Sequence, residues 1–194
     1  MSSHLKQLPS TWIIDSVNTI TNNKELKILD FASGHGRHST TLASNKRKIT
    51  AVDNDSLKLS TYKNYPNIKT VCFDLETDEN WPFKNNYYDI VIVTNYLYRP
   101  KIKKIGDLVK ENGYLFYETF SKGNEKFGKP SNPNFLLKDR ELTKVFKKNF
   151  KILYYFNGQE FSNKKTIIQR CAIKKTPPKR RHFLKKIMLF YFNR

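Results

Sequence analysis

Short apolar runs alternate with amphipathic stretches along most of the chain. Residues 26–31 (LKILDF), 48–52 (KITAV), 68–73 (IKTVCF), 88–94 (YDIVIVT) and 114–120 (YLFYETF) have strand length and are rich in β-branched and aromatic side chains. Helical spacing falls between them. Segment 10–20 puts Trp12, Ile13 and Val17 on one face, and further helices are predicted from the glycine turn at 33–36 through Ala43, over 56–63, over 101–111 and near 136–148. Gly113 stands where a left-handed cap would end the fourth of these. Such alternation predicts an α/β fold, a mostly parallel sheet with helices on both faces. The last two runs, 150–156 and 166–173, are about nine residues apart. That is too few for a crossover helix, so they are expected to close a seven-stranded sheet as an antiparallel hairpin.

After Thr176-Pro177-Pro178 the pattern changes. The reading divides the chain into a domain over 1–175 and a tail over 176–194, which carries six basic residues among Phe183, Leu184, Ile187, Met188, Leu189, Phe190, Tyr191 and Phe192. A basic amphipathic segment suits a membrane surface, a nucleic acid or its own domain, and all three remain open. At 194 residues the chain is long enough for one domain with a full core. No apolar run approaches the roughly 20 residues of a membrane-spanning helix. Cys72 and Cys171 both lie in strand-like runs and are expected to be inert core thiols, in keeping with a reducing cytoplasm. The cysteines and histidines lack zinc-site spacing, so no metal is expected. Thirty-six basic against 17 acidic residues leave +19, a charge that attracts nucleic acid or another anionic surface. Yet 28 of the 36 are Lys, as an AT-rich coding sequence would also give.

The chemistry concentrates in Ile28-Leu29-Asp30-Phe31-Ala32-Ser33-Gly34-His35-Gly36-Arg37-His38. A strand enters a tight turn whose glycines let the backbone approach a ligand, ahead of a helix N-terminus suited to an anion. Asp53 ends the next strand 19 residues after Gly34, where a carboxylate can hold ribose hydroxyls. Together they point to an adenosine-containing cofactor. A dinucleotide site would want a third glycine where Ser39 stands, whereas Asp74, after the third strand, suits an adenine amino group or a sulfonium-bearing ligand. A methyl donor is therefore favoured over a nicotinamide. Asn95, Tyr96 and Glu118 end the fourth and fifth strands and should share that rim. His35 and His38 read as helix-start residues. The long loop over 121–133, with Asn124, Glu125, Phe127 and Asn132 among glycines and prolines, reads as a lid over the acceptor.

With these residues in place, the stretch 9–174 resembles a class I S-adenosylmethionine-dependent methyltransferase. Asp30 to Gly36 correspond to the family's glycine-rich first motif, Asp53 to its ribose-binding acid, and Asp74 to its adenine-side acid. Trp81-Pro82-Phe83, Thr94-Asn95-Tyr96-Leu97-Tyr98-Arg99-Pro100 and Glu118-Thr119-Phe120 with Gly123-Asn124-Glu125 and Phe127-Gly128 are similar to a small bacterial subgroup related to tellurite- and thiol-type methyltransferases. The resemblance implies a Rossmann-like sheet and S-adenosylmethionine as cofactor. It places the donor on Asp30, Ala32, Gly34, Gly36, Asp53 and Asp74, with Asn95 and Tyr96 positioning the acceptor and Glu118 as base or orienting group. Glu118 alternatively pairs with Arg99 or a nearby Lys. Ala32 departs from the family by standing where many members carry Gly. A small-molecule acceptor is expected, with RNA or a ribosome-associated protein as the second reading and a donor-binding protein without turnover as the third. A nicotinamide oxidoreductase ranks fourth.

Overall fold

In the computed structural model, residues 8–20, 24–161 and 165–177 are described. Two strands form the middle of the sheet, β1 (Leu26–Phe31) and β4 (Tyr88–Thr94), and they pair in parallel through Ile28↔Ile90 to Phe31↔Val93. Ile28, Leu29, Phe31 and Ile90 to Val93 are all fully buried, which explains why these runs read as continuously apolar. β2 (Arg47–Asp53) and β3 (Ile68–Cys72) extend the sheet on one side. On the other side come β5 (Val109–Phe120) and then β7 (Lys165–Lys175) and β6 (Phe150–Phe161), both antiparallel at their joins. The order β3-β2-β1-β4-β5-β7-β6 is the seven-stranded, mostly parallel α/β sheet with an antiparallel terminal hairpin that the pattern predicted.

Helices cover both faces. α1 (Thr11–Asn18), α2 (Arg37–Leu42) and α3 (Ser56–Ser60) bury Ile13, Val17, Leu42 and Leu59 against Ile28, Ile90 and Ile92. α4 (Ile102–Leu108) and α5 (Glu141–Phe146) bury Ile102, Ile105, Leu142 and Phe146 against Leu29, Val91 and Leu115 on the other face. Ser10 caps α1 by accepting from the Ile13 N–H, and Asp55 caps α3 by accepting from the Leu57 and Lys58 N–H groups.

Several expectations need correction. The helix expected over 101–111 stops at Leu108, because Val109 already pairs with Tyr88 as β5 begins. Gly113 lies inside that strand and is no helix cap. A Cβ there would come within 2.8 Å of the Asp89 carbonyl, and the left-handed residue is its neighbour Asn112, with φ 62°. The helix near 136–148 shrinks to α5, preceded by a 3₁₀ turn at Pro133–Phe135. Cys72 is exposed at the end of β3, where its thiol reaches the Asn54 carbonyl, so it is no core thiol. Cys171 is the buried one, and burial pushes its thiol up to about 12. The loop after β5 has structure of its own, a 3₁₀ turn at Asn124–Lys126. There the buried Asn124 amide donates to the Pro130 carbonyl and accepts from the Ile167 N–H. The basic aromatic tail lies outside the described residues except for Thr176 and Pro177.

Candidate active site

The rim at the carboxyl ends of β1 to β5 is built around the turn after β1. Three of its residues are left-handed, Ala32 (φ 57°), Gly34 (φ 55°) and Gly36 (φ 68°). Ser33 anchors the turn to β2 by donating its N–H to the Val52 carbonyl at 2.8 Å. Tyr62, just beyond α3, closes over it with its hydroxyl 2.8 Å from Ser33 Oγ and 3.2 Å from the Gly34 carbonyl. A Cβ on Gly36 would sit 2.6 Å from the Tyr62 ring, so only glycine fits. Gly34, by contrast, faces open space.

Two carboxylates hold this turn from below and beside. Asp30 is 1% exposed, and its Oδ2 accepts from the Ser39 N–H and hydroxyl at 3.1 and 2.7 Å. Its Oδ1 is buried and unpartnered. Burial pushes the Asp30 carboxyl up to about 7, against the opposing pull of the Ser39 hydrogen bonds and the Arg37 charge. Asp53 accepts from the Gly34 N–H at 2.8 Å and from the Asp55 N–H at 3.1 Å, which joins the end of β2 to the glycine turn. Asp30, Gly34, Gly36 and Asp53 are therefore one connected unit.

Farther along the rim, Asp74 is exposed and accepts from the Glu76 N–H at 2.9 Å. Tyr96 packs edge-on against Phe31, with ring centroids 5.5 Å apart, and its hydroxyl is buried without a partner. Burial, joined by the charges of Glu76 and Asp74, holds the Tyr96 phenol far above the ordinary range. It stays protonated and is a hydrogen-bond donor. Asn95 is exposed and left-handed (φ 54°), and its N–H donates to the Glu118 carbonyl at 2.9 Å.

Glu118 belongs to a different network. Its Oε2 takes the Ser10 hydroxyl at 2.9 Å and Arg170 Nε at 2.6 Å, on the α1 side of the sheet. The expected partner Arg99 instead forks onto Glu141 and donates to the Asn134 and Leu136 carbonyls. His38 is buried, with Nε2 accepting from the Ser10 N–H at 3.0 Å, while His35 is exposed. Tyr62, Ser10 and Arg170 escaped the sequence reading. Tyr62's role depends on a ring meeting a glycine 26 positions away, and no local pattern signals that. Among the described residues, no group of three or more His, Cys, Asp or Glu is placed to hold a metal.

Residues 28–113 match the family model of a methyltransferase domain. The matched stretch runs from β1 through β4 into β5 and takes in the glycine turn, Asp53 and Asp74. No curated protein matches the sequence. Solved structures share the fold at low identity. TehB from Haemophilus influenzae has a TM-score of 0.70 and 18% identity over 87% of this chain, which spans 63% of that protein. A SAM-dependent methyltransferase from Methanosarcina mazei has 0.67 and 14% over 89% of this chain and 100% of its own. The cyclase SpnF has 0.67 and 13%, over 86% and 81%. The domain and its neighbours imply S-adenosylmethionine as cofactor. The residues fit that group. The glycine turn opens onto space at Gly34, and two buried polar atoms at the same rim, Asp30 Oδ1 and Tyr96 Oη, lack partners.

Proposed function

We propose that this methyltransferase domain transfers a methyl group from S-adenosylmethionine to a small, soft nucleophile. The observation that carries the reading is the pair of buried, unpartnered polar atoms flanking the open glycine turn. Asp30 Oδ1 and Tyr96 Oη are the polar atoms of this rim left without a protein partner, and a bound donor would supply one. The bound donor supplies an activated methyl carbon on a sulfonium, so the protein's work is alignment and exclusion of water. Gly34 and Gly36 let the backbone approach the donor, Asp53 and Asp74 hold its ribose and adenine edges, and Asp30 shapes the loop. Asn95 and Tyr96 position the acceptor, and Tyr96 does so as a donor because its phenol keeps its proton. Glu118, engaged by Arg170 and Ser10, takes the orienting role rather than that of a base.

A specific observation favours RNA as the second reading. Lys165 Nζ lies 4.7 Å over the Phe127 ring and 5.9 Å from that of Phe161, which is 73% exposed. Exposed rings beside lysines are a stacking surface for unpaired bases. SpnF, a cyclase of the same fold, makes a direct transfer assay necessary. Calorimetric titration with S-adenosylmethionine, S-adenosylhomocysteine and NAD should show binding of the two sulfur ligands alone. Asp74→Ala, an exposed change, should weaken them about tenfold, as loss of a charged hydrogen bond does. Asp53→Ala should weaken them further, with a thermal melt to confirm that the Gly34 turn still folds. Labelled methyl should then pass to a small thiol. Selective NAD binding, or donor binding without transfer to any thiol, amine or RNA, would sink the proposal.

A further inference from the structure

On the face covered by α1, the sheet is not covered to its edge. α1 seals β1 and β4, and beyond it a groove of about 580 Å³ opens over β5, β7 and β6, walled by Trp12, Ile20, Tyr114, Phe116, Tyr154 and Ala172. The wall is aromatic and ordered. Tyr114 and Phe116 stack at 6.2 Å and 4°, Trp12 meets Phe116 edge-on at 6.0 Å, and Trp12 lies 5.9 Å from Tyr154. Tyr154 is 44% exposed and its neighbour Leu153 47%, although both sit on a strand that ordinarily would have a covering layer. One acid, Asp15, lines the groove. None of these residues belongs to the glycine-turn rim.

We propose that this groove is the docking site of the chain's own segment 178–194. The path of the chain supports this occupant. β7 carries Ala172 in the groove and Lys174 beside it, with Nζ 5.3 Å over the Tyr114 ring. The strand ends at Lys175, and Thr176 donates to the Asn149 carbonyl, so the chain leaves the sheet at the foot of the groove. Seventeen residues follow Pro177. Even half of them, extended, reach about 25 Å, twice the roughly 12 Å that α1 spans along the groove. A tether that short holds its cargo at an effective concentration on the order of millimolar, so modest contacts suffice. The composition is complementary as well. Segment 178–194 contains Phe183, Leu184, Ile187 and Met188, apolar side chains suited to an aromatic wall, and six basic residues, for which Asp15 is the acid in the groove lining.

Photo-crosslinking in the full chain tests the assignment. With Tyr154 replaced by benzoylphenylalanine, irradiation should give a monomer-sized product in which the label is joined to a peptide from 178–194. The same label at Phe135, 51% exposed on the opposite face, should not capture that peptide. Leu184→Glu combined with Ile187→Glu should lower the Tyr154 yield about tenfold, what removal of buried aliphatic side chains does to a docking equilibrium. A dimer-sized product would assign the groove to a second copy and overturn the proposal. So would capture of α1 peptides alone, an unchanged yield in the double variant, or sedimentation with phosphatidylserine vesicles without a tail crosslink.

Discussion

Ala32 holds a backbone conformation that costs a residue with a Cβ about 1–2 kcal/mol relative to glycine. It is the first of three left-handed positions in the turn after β1, and the other two are glycines. Ala32→Gly should relieve that strain, offset in part by the greater freedom of glycine in the unfolded chain. The expected net gain is up to about 1 kcal/mol, a rise of roughly 2–4 °C in melting temperature for a chain of this size. A fall in a thermal melt would mean that the methyl of Ala32, packed beside the core that contains Phe31, contributes more than the strain removes. Gly36 forbids the reverse change, because the Tyr62 ring occupies the place of its Cβ. The places of both turn glycines and of Asp30 and Asp53 beside them were legible in the sequence because they follow from chain spacing. Tyr62 was not, since its role exists only once α3 has folded back over the turn.

At the scale of elements, α1 is fastened to the sheet by a polar chain that includes His38, a group that titrates in the opposite sense to Asp30 of the glycine turn. His38 on α2 accepts from the Ser10 N–H, Ser10 donates to Glu118 on β5, and Arg170 on β7 completes the chain under Trp12. Burial, with the nearby Arg37 charge, lowers His38 to about 3, so between that value and 6.5 the unfolded chain binds a proton that the folded chain refuses. Its contribution is complete above pH 6.5 and is lost as pH falls toward 3. Asp30 behaves oppositely. With its carboxyl raised to about 7, the folded chain holds a proton that the unfolded chain releases above about 3.8, and stability is lost as pH rises through that window. Between about pH 4 and 6.5 the two slopes, each about 1.4 kcal/mol per unit, cancel. Asp30→Asn should uncover the His38 slope, so that denaturant unfolding shows stability falling more steeply on acidification than in the wild type. His38→Gln should tilt the difference curve the other way, and parallel curves for all three proteins would refute the assignment. The sequence displayed the strands behind this network more clearly than its helices. β1 and β4 announce themselves as buried runs, whereas α4 ends where strand pairing with Tyr88 begins, and Gly113 imitates a helix cap while answering to the Asp89 carbonyl.

Across the whole molecule the charge of +19 has two candidate uses, and salt dependence separates them. Asp53, Asp74 and Glu76 gather at the rim where the donor is proposed to sit, so its immediate surroundings are acidic in a basic protein. The lysine–aromatic cluster of Phe127, Phe161 and Lys165 lies at the join of the β5–α5 loop with the terminal hairpin. For an RNA acceptor that engages that cluster, every phosphate neutralised would add about −0.7 to the slope of log affinity against log salt. A soft small-molecule acceptor crosses no such field and needs only the rim. The small-molecule reading therefore predicts that kcat/KM for methyl transfer to a thiol is nearly constant between about 50 and 200 mM salt, a range over which several phosphate contacts would cost an RNA acceptor orders of magnitude. It further predicts that Lys165→Glu leaves that constant unchanged while abolishing any salt-sensitive retention of single-stranded RNA. Transfer that collapses with salt and with Lys165→Glu together would make the cluster part of the acceptor site and move the substrate from a small molecule to RNA.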